Sequence, residues 1–143
     1  MARGEFKMPE EFLHKISKLA DRTDDIVPRV LDAGGKVMLA RVKSNLQAVI
    51  GKDTKYDSRA TGELVSALGL SGARLDRAGN YNVKVGFAEP RRDGTSNAKL
   101  ANIIEYGKRG QPPKPFLKPA KSAAKGACIE AMKAKLAEEL DKI

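Results

Sequence analysis

Tyr81-Asn82-Val83-Lys84-Val85-Gly86-Phe87-Ala88 alternates, with Tyr81, Val83, Val85 and Phe87 at every second position. A strand sends successive side chains to opposite faces, so these four share one apolar face. Residues 70 to 76 are the expected antiparallel partner, and Arg77-Ala78-Gly79-Asn80 between them supplies residues that tolerate positive φ in a turn. Everything long and periodic on either side is helical. The expected class is therefore α+β, a small antiparallel or mixed sheet packed against a long N-terminal helix and a long C-terminal helix.

Upstream, Pro9-Glu10-Glu11 opens a helix: proline is tolerated at the first position and the two carboxylates complement the positive end of the helix dipole. Phe12, Leu13, Ile16, Leu19 and Ala20 follow at helical spacing. Thr23-Asp24-Asp25 offers a stop and a fresh cap, with Pro28 in the next first turn. A second, long helix carries Val27, Val30, Leu31, Gly34, Val37, Met38, Val42, Leu46 and Val49 along one stripe up to Gly51. Gly34-Gly35 in its middle costs about 1 kcal/mol per glycine relative to alanine; close approach by another backbone, or simple tolerance, accounts for it. Residues 51 to 60 lack periodicity and read as a loop, after which Thr61 caps a short helix through Leu64, Val65 and Leu68 that ends at Gly69.

Downstream, residues 89 to 97 are polar, punctuated by Pro90 and Gly94, and expected to be a mobile loop. Residues 98 to 107 regain apolar character as a short helix or strand. Gln111 to Pro119 then holds four prolines and is barred from helix until Pro119. The last helix runs from there, its seam formed by Ala124, Cys128, Met132, Leu136 and Leu140 at i+4 steps. Residues 1–143 are read as one domain, with residues 1–24 a peripheral helix.

Composition narrows the function. With 143 residues, 41% hydrophobic and 31% charged, the chain is large enough for a core without staples; 5% aromatics and no Trp make that core aliphatic and alanine-rich. One Cys and one His form neither an internal disulfide nor a zinc site. No apolar run reaches the roughly 18–20 residues of a membrane span, and the N-terminus lacks a signal-peptide pattern, so a cytoplasmic site of synthesis and no membrane partner are expected. Of the net charge of +9, residues 108 to 143 contribute nine Lys/Arg against four Asp/Glu. Lys108, Arg109, Lys114, Lys118, Lys121 and Lys125 occur with no acidic residue among them, a block suited to phosphate or to an acidic protein surface, or else a solvated face.

No catalytic constellation emerges. His14 has no nucleophile near it in sequence, Cys128 lies on an apolar seam, Asp24-Asp25 fits a helix start, and no phosphate-binding glycine loop occurs. No enzyme activity, cofactor or metal is expected. A basic nucleic-acid-binding module is the alternative, although only Tyr106 and Phe116 are available there to stack on bases, and Phe116 between prolines reads better as a core anchor.

Ile103-Ile104-Glu105-Tyr106-Gly107, followed by Gln111-Pro112-Pro113-Lys114-Pro115-Phe116-Leu117-Lys118-Pro119-Ala120, resembles the signature of the phage and prophage neck or tail-completion proteins, the lambdoid gene-product-ten-like family of head-tail joining proteins. Thr61-Gly62-Glu63-Leu64 and Val83-Lys84-Val85-Gly86 are similar to its other motifs, so the likeness spans roughly residues 26 to 140; the extended segment from Glu89 to Asn97 departs from it. The resemblance implies a structural virion protein of the neck or tail, assembled in the host cytoplasm as a ring, a hexamer, around the DNA path. Its implied partners are further copies of itself, connector or head-closure proteins, tail-tube or tail-terminator proteins, and non-specific contact with DNA in the channel. Glu105, Tyr106, Gly107, Lys108, Arg109 and Lys114 are expected at a subunit or partner interface. Pro115, Phe116, Leu117 and Pro119 are expected to anchor the proline-stiffened arm, because proline fixes φ and lowers the entropy lost on ordering.

Overall fold

The computed structural model describes residues 10–50, 62–91 and 94–143. The expected roles of Pro9, of the 51–60 loop, of Thr61 as a cap and of Arg92-Asp93 fall outside the described residues. Helix α1 (Glu10–Asp21) is separated from α2 (Thr23–Val49) by Arg22 alone. The expected stop shrinks to that one residue, because the Arg22 N–H still donates to the Lys18 and Leu19 carbonyls and its own carbonyl accepts from Asp25 and Ile26. Thr23 does not cap; its hydroxyl donates back to the Leu19 carbonyl at 3.1 Å, a bond open to a threonine already in helix. With the helix starting this early, Pro28 stands at the sixth position and not in the first turn.

The expected α+β class is what the chain adopts. Helix α3 (Glu63–Ala67) passes directly into β1 (Leu68–Leu70), so Leu68 and Gly69, expected at a helix end, are strand residues. β2 (Arg74–Leu75), β3 (Tyr81–Asn82) and β4 (Val85–Phe87) complete a hairpin in two short rungs, with Leu70 opposite Val85 and Leu75 opposite Tyr81. The strand expected over residues 81 to 88 is interrupted at Val83-Lys84. There the Ser71 hydroxyl takes the Lys84 N–H at 2.8 Å while the Ser71 N–H donates to the Lys84 carbonyl, so a side chain replaces one ladder contact. The turn forms as expected, with Gly79 at φ +83° and the Asp76 carboxylate accepting the N–H groups of Ala78 and Asn80. The Tyr81 hydroxyl donates to Asp24 at 2.6 Å, tying the hairpin to the start of α2 and raising the phenol pKa.

Helix α4 (Asn97–Tyr106) resolves the helix-or-strand ambiguity of that segment, and α5 (Leu117–Asp141) closes the molecule. α5 lies antiparallel along α2: Asn45 donates to the Phe116 carbonyl at 3.3 Å near its start, and Arg29 pairs with Glu139 at 2.9 Å near its end. The adjacent glycines explain the sandwich. A Cβ on Gly34 would stand 2.6 Å from Met132 Cγ and 3.1 Å from Cys128 Sγ, whereas one on Gly35 would stand 2.7 Å from Leu70 Cδ1. The glycines therefore admit side chains, from α5 on one side of α2 and from the hairpin on the other. Gly34→Ala is expected to destabilise by about 1 kcal/mol net, since overpacking of about 1–3 kcal/mol outweighs the gain in helix propensity; a urea midpoint below wild type would show it.

The core gathers Val42, Leu46, Leu64, Leu68, Ala101, Phe116 and Ala120. Its aliphatic and alanine-rich makeup is as expected, but the seam of α5 differs. Ala120 and Ala124 are buried and Cys128 and Met132 half-buried, whereas Leu136 and Leu140 are exposed. At 3.6 residues per turn each i+4 step rotates about 40° around the axis, so the stripe walks off the α2 contact and Glu139 takes the buried place.

Candidate functional site

The expected site residues meet at the passage from α4 to α5. α4 ends at Tyr106, and Gly107 follows at φ +78°, its N–H donating to the Ile103 carbonyl. A Cβ there would lie 2.8 Å from both the Gln111 carbonyl oxygen and the Pro113 nitrogen, so only glycine fits by conformation and by space. Lys108 and Gln111 exchange backbone hydrogen bonds of 3.0 and 2.9 Å around Gly110, forming a narrow turn. The Lys114 N–H donates to the Ile104 carbonyl at 2.7 Å, fastening the proline run to α4. Pro112, Pro113 and Pro115 are exposed, and lacking N–H groups they need no partner strand.

Glu105 secures the far end. Its side chain is 4% exposed and faces inward; Oε2 accepts the N–H groups of Phe116 and Leu117 at 2.7 and 2.8 Å, and Oε1 accepts that of Lys118 at 3.0 Å. Pro119 has no N–H, and Ala120 N–H already donates to the Phe116 carbonyl, so every donor of the first turn of α5 is accounted for. Helix α5 thus starts two residues before Pro119, earlier than its prolines alone imply, because proline is tolerated within an unbonded first turn. Burial pushes the Glu105 carboxyl up, but the three N–H groups and the nearby Lys118 charge outweigh it and leave the pKa below the ordinary value. Phe116 is fully buried, its ring 6.4 Å from that of Phe87 at 76°. Leu117 is half-buried, while Pro115 and Pro119 face solvent.

A parallel device stands one element earlier. Glu89 accepts the N–H groups of Asn97 and Ala98 at 3.0 and 2.5 Å and the Ser96 hydroxyl at 2.9 Å; these bonds, led by that of Ala98, depress its pKa. Buried Asn97 donates to the Ala88 carbonyl at 2.7 Å and accepts from Arg91 at 2.9 Å, and Arg91 also approaches Glu63 at 3.5 Å. In the segment expected as a loop, the described residues are thus knit into the start of α4. Glu89 and Asn97 were not among the expected site residues. The legible signal was a glutamate eight residues ahead of an Asn-Ala helix start, too far for a local capping pattern.

Outward from this lock stand Tyr106, 76% exposed, and Lys108 and Arg109, also exposed; Lys114 is half-buried. Lys118, Lys121 and Lys125 are exposed on α5, whose described ion pairs all lie at or beyond Glu130. Among the described residues no group of three or more His, Cys, Asp and Glu is placed to hold a metal, and no helix is long and apolar enough to cross a membrane. His14 is exposed, and Cys128 is half-buried against α2.

No curated protein and no solved structure matches the chain. A family model does, over residues 10–107, with the description "Bacteriophage HK97-gp10, putative tail-component". The matched span takes in α1 through α4 and ends at Gly107, so the proline run and α5 lie beyond it, joined to it by Glu105. The chain belongs to the HK97 gp10-like family of phage tail components.

Proposed function

We propose that the chain is a structural virion subunit that closes into a ring at the head-tail junction and joins the connector to the tail tube. The supporting observation is the strap from Gly107 to Phe116, fixed at one end by a glycine that no other residue can replace and at the other by Glu105 and a buried ring. Heterologous contacts close into a ring only when every copy meets the next at one rotation, and a strap fastened at both ends supports such an angle. Membership in a tail-component family supports contacts with other virion proteins and a place in the virion. No catalytic step is assigned to the chain.

Tyr106, Lys108 and Arg109 are the presented contacts, while Glu105 serves from inside. Lys108→Glu with Arg109→Glu is expected to leave the melting temperature within a degree or two of wild type and to cut the yield of infectious particles at least tenfold. Normal yields would remove these residues from the interface. A nucleic-acid contact is the second possibility, favoured by the exposed Lys118, Lys121 and Lys125 on the half of α5 that precedes its first described ion pair at Glu130. Filter binding of duplex DNA at rising salt tests it: about three neutralised phosphates give a log-log slope near −2.7, and a flat response excludes it.

A further inference from the structure

We propose that α1 of one copy packs, parallel in direction, on the outward stripe of α5 in a neighbouring copy; this rests on the ring reading and names the surfaces that meet. Among the described residues, nothing covers Leu13 and Ile16 on α1. Leu13 and Ile16 are 48% and 45% exposed, and Leu19, in its last turn, is half-buried. α1 cannot cover its own α5. The chain's last residues, Lys142 and Ile143, share a notch with Lys18, Asp21 and Arg22, so α5 ends level with the last turn of α1. Hydrogen bonding continues through Arg22, and the earlier turns of α1 therefore extend past the end of the body.

The complementary surface is on α5. Ile129, Leu136 and Leu140 are 38%, 39% and 39% exposed, and their 7- and 4-residue spacings place them on one stripe. The same stripe continues toward the start of α5 as Lys125 and Lys118, basic where its other half is apolar. α1 has the matching order, with Glu10 and Glu11 in its first turn and Leu13 and Ile16 after them. Laid parallel, Leu13 meets Ile129, Ala20 meets Leu136, and Glu10, about 60° around α1 from Leu13, falls beside Lys125. Laid antiparallel, with Leu13 on Leu136 and Ala20 on Ile129, Glu10 leaves that lysine and comes level with Glu139, in a turn that also holds Glu138 and Asp141 against Lys142. Charge order therefore selects the parallel arrangement, and a contact between two different surfaces of identical copies is the kind that propagates around a ring.

The test mixes two purified full-length chains, both carrying Cys128→Ser, one with Leu13→Cys and the other with Ile129→Cys. Mild oxidation is expected to give the mixed disulfide dimer as the main product, and Leu136→Asp in the second chain to abolish it. Glu10→Lys with Glu11→Lys is expected to weaken cross-linking at least fivefold and Lys125→Glu to restore it. Apart from the half-buried Cys128, replaced in both chains by the near-isosteric serine, these positions are exposed, so unchanged melting curves check that the variants are folded. No mixed disulfide, or one indifferent to Leu136→Asp, overturns the docking. Light scattering on the uncross-linked wild type separates the two ideas: a ring without the mixed disulfide refutes the docking alone, and a mixed disulfide without a ring upholds the docking and refutes the ring.

Discussion

Phe116→Ala is expected to lower the unfolding free energy by about 3–5 kcal/mol, the range for deleting a fully buried phenylalanine. Its ring has no exposed surface and packs among Val42, Leu46, Leu64, Leu68, Ala101 and Ala120. The edge-on contact with Phe87 adds about 0.5–1.5 kcal/mol that an aliphatic replacement also loses. Domains of this size are stable by about 5–15 kcal/mol, so the loss is a large fraction, visible as a fall in melting temperature on the order of 10–20 °C. Phe116→Leu fills most of the space and should recover more than half of it. A drop under about 1 kcal/mol for the alanine variant would show that the strap is not anchored by this ring.

Glu105→Ala is expected to cost about 3 kcal/mol, because three N–H groups at the start of α5 lose their acceptor in a site that water scarcely reaches. Glu105→Gln should cost less, about 1–2 kcal/mol. One amide oxygen still accepts from Phe116 and Leu117, while the amide NH2 points its donors at the Lys118 N–H. Acid should reveal the same bond. Folding holds the Glu105 and Glu89 pKa values below the ordinary carboxylate value, so their contribution is fully present above that value, about 4.3, and is lost as pH falls through the lower folded ones. Stability measured in urea from pH 6 down to pH 3 should fall for wild type and fall less steeply for Glu105→Gln. Equal slopes would mean that the carboxylate is not ionised in the folded chain.

Period-two and helical patterns made the hairpin, α2 and the class of fold legible, because burial on one face is written in every residue of such elements. The α5 seam was misjudged beyond Met132, where i+4 arithmetic accumulates rotation that only a straight partner helix would reveal. The strap was visible as three prolines and an aromatic, but its fastening was not. Glu105 looks like any charged residue between an isoleucine and a tyrosine, and its partners are backbone N–H groups, which carry no mark of residue type. The inward turn of Glu105 and the outward turn of Tyr106 are opposite outcomes for neighbours on one helix. Only the position of α5 decides between them.

The helix that closes the molecule has no cap of its own. Its first turn is completed by an acid borne on α4, eleven residues ahead of the first N–H group that it accepts. Starting a helix is unfavourable until its first turn is satisfied, and synthesis delivers α4 first. The segment that bears the acceptor leaves the ribosome ahead of the segment that needs it, and order along the chain becomes order in space.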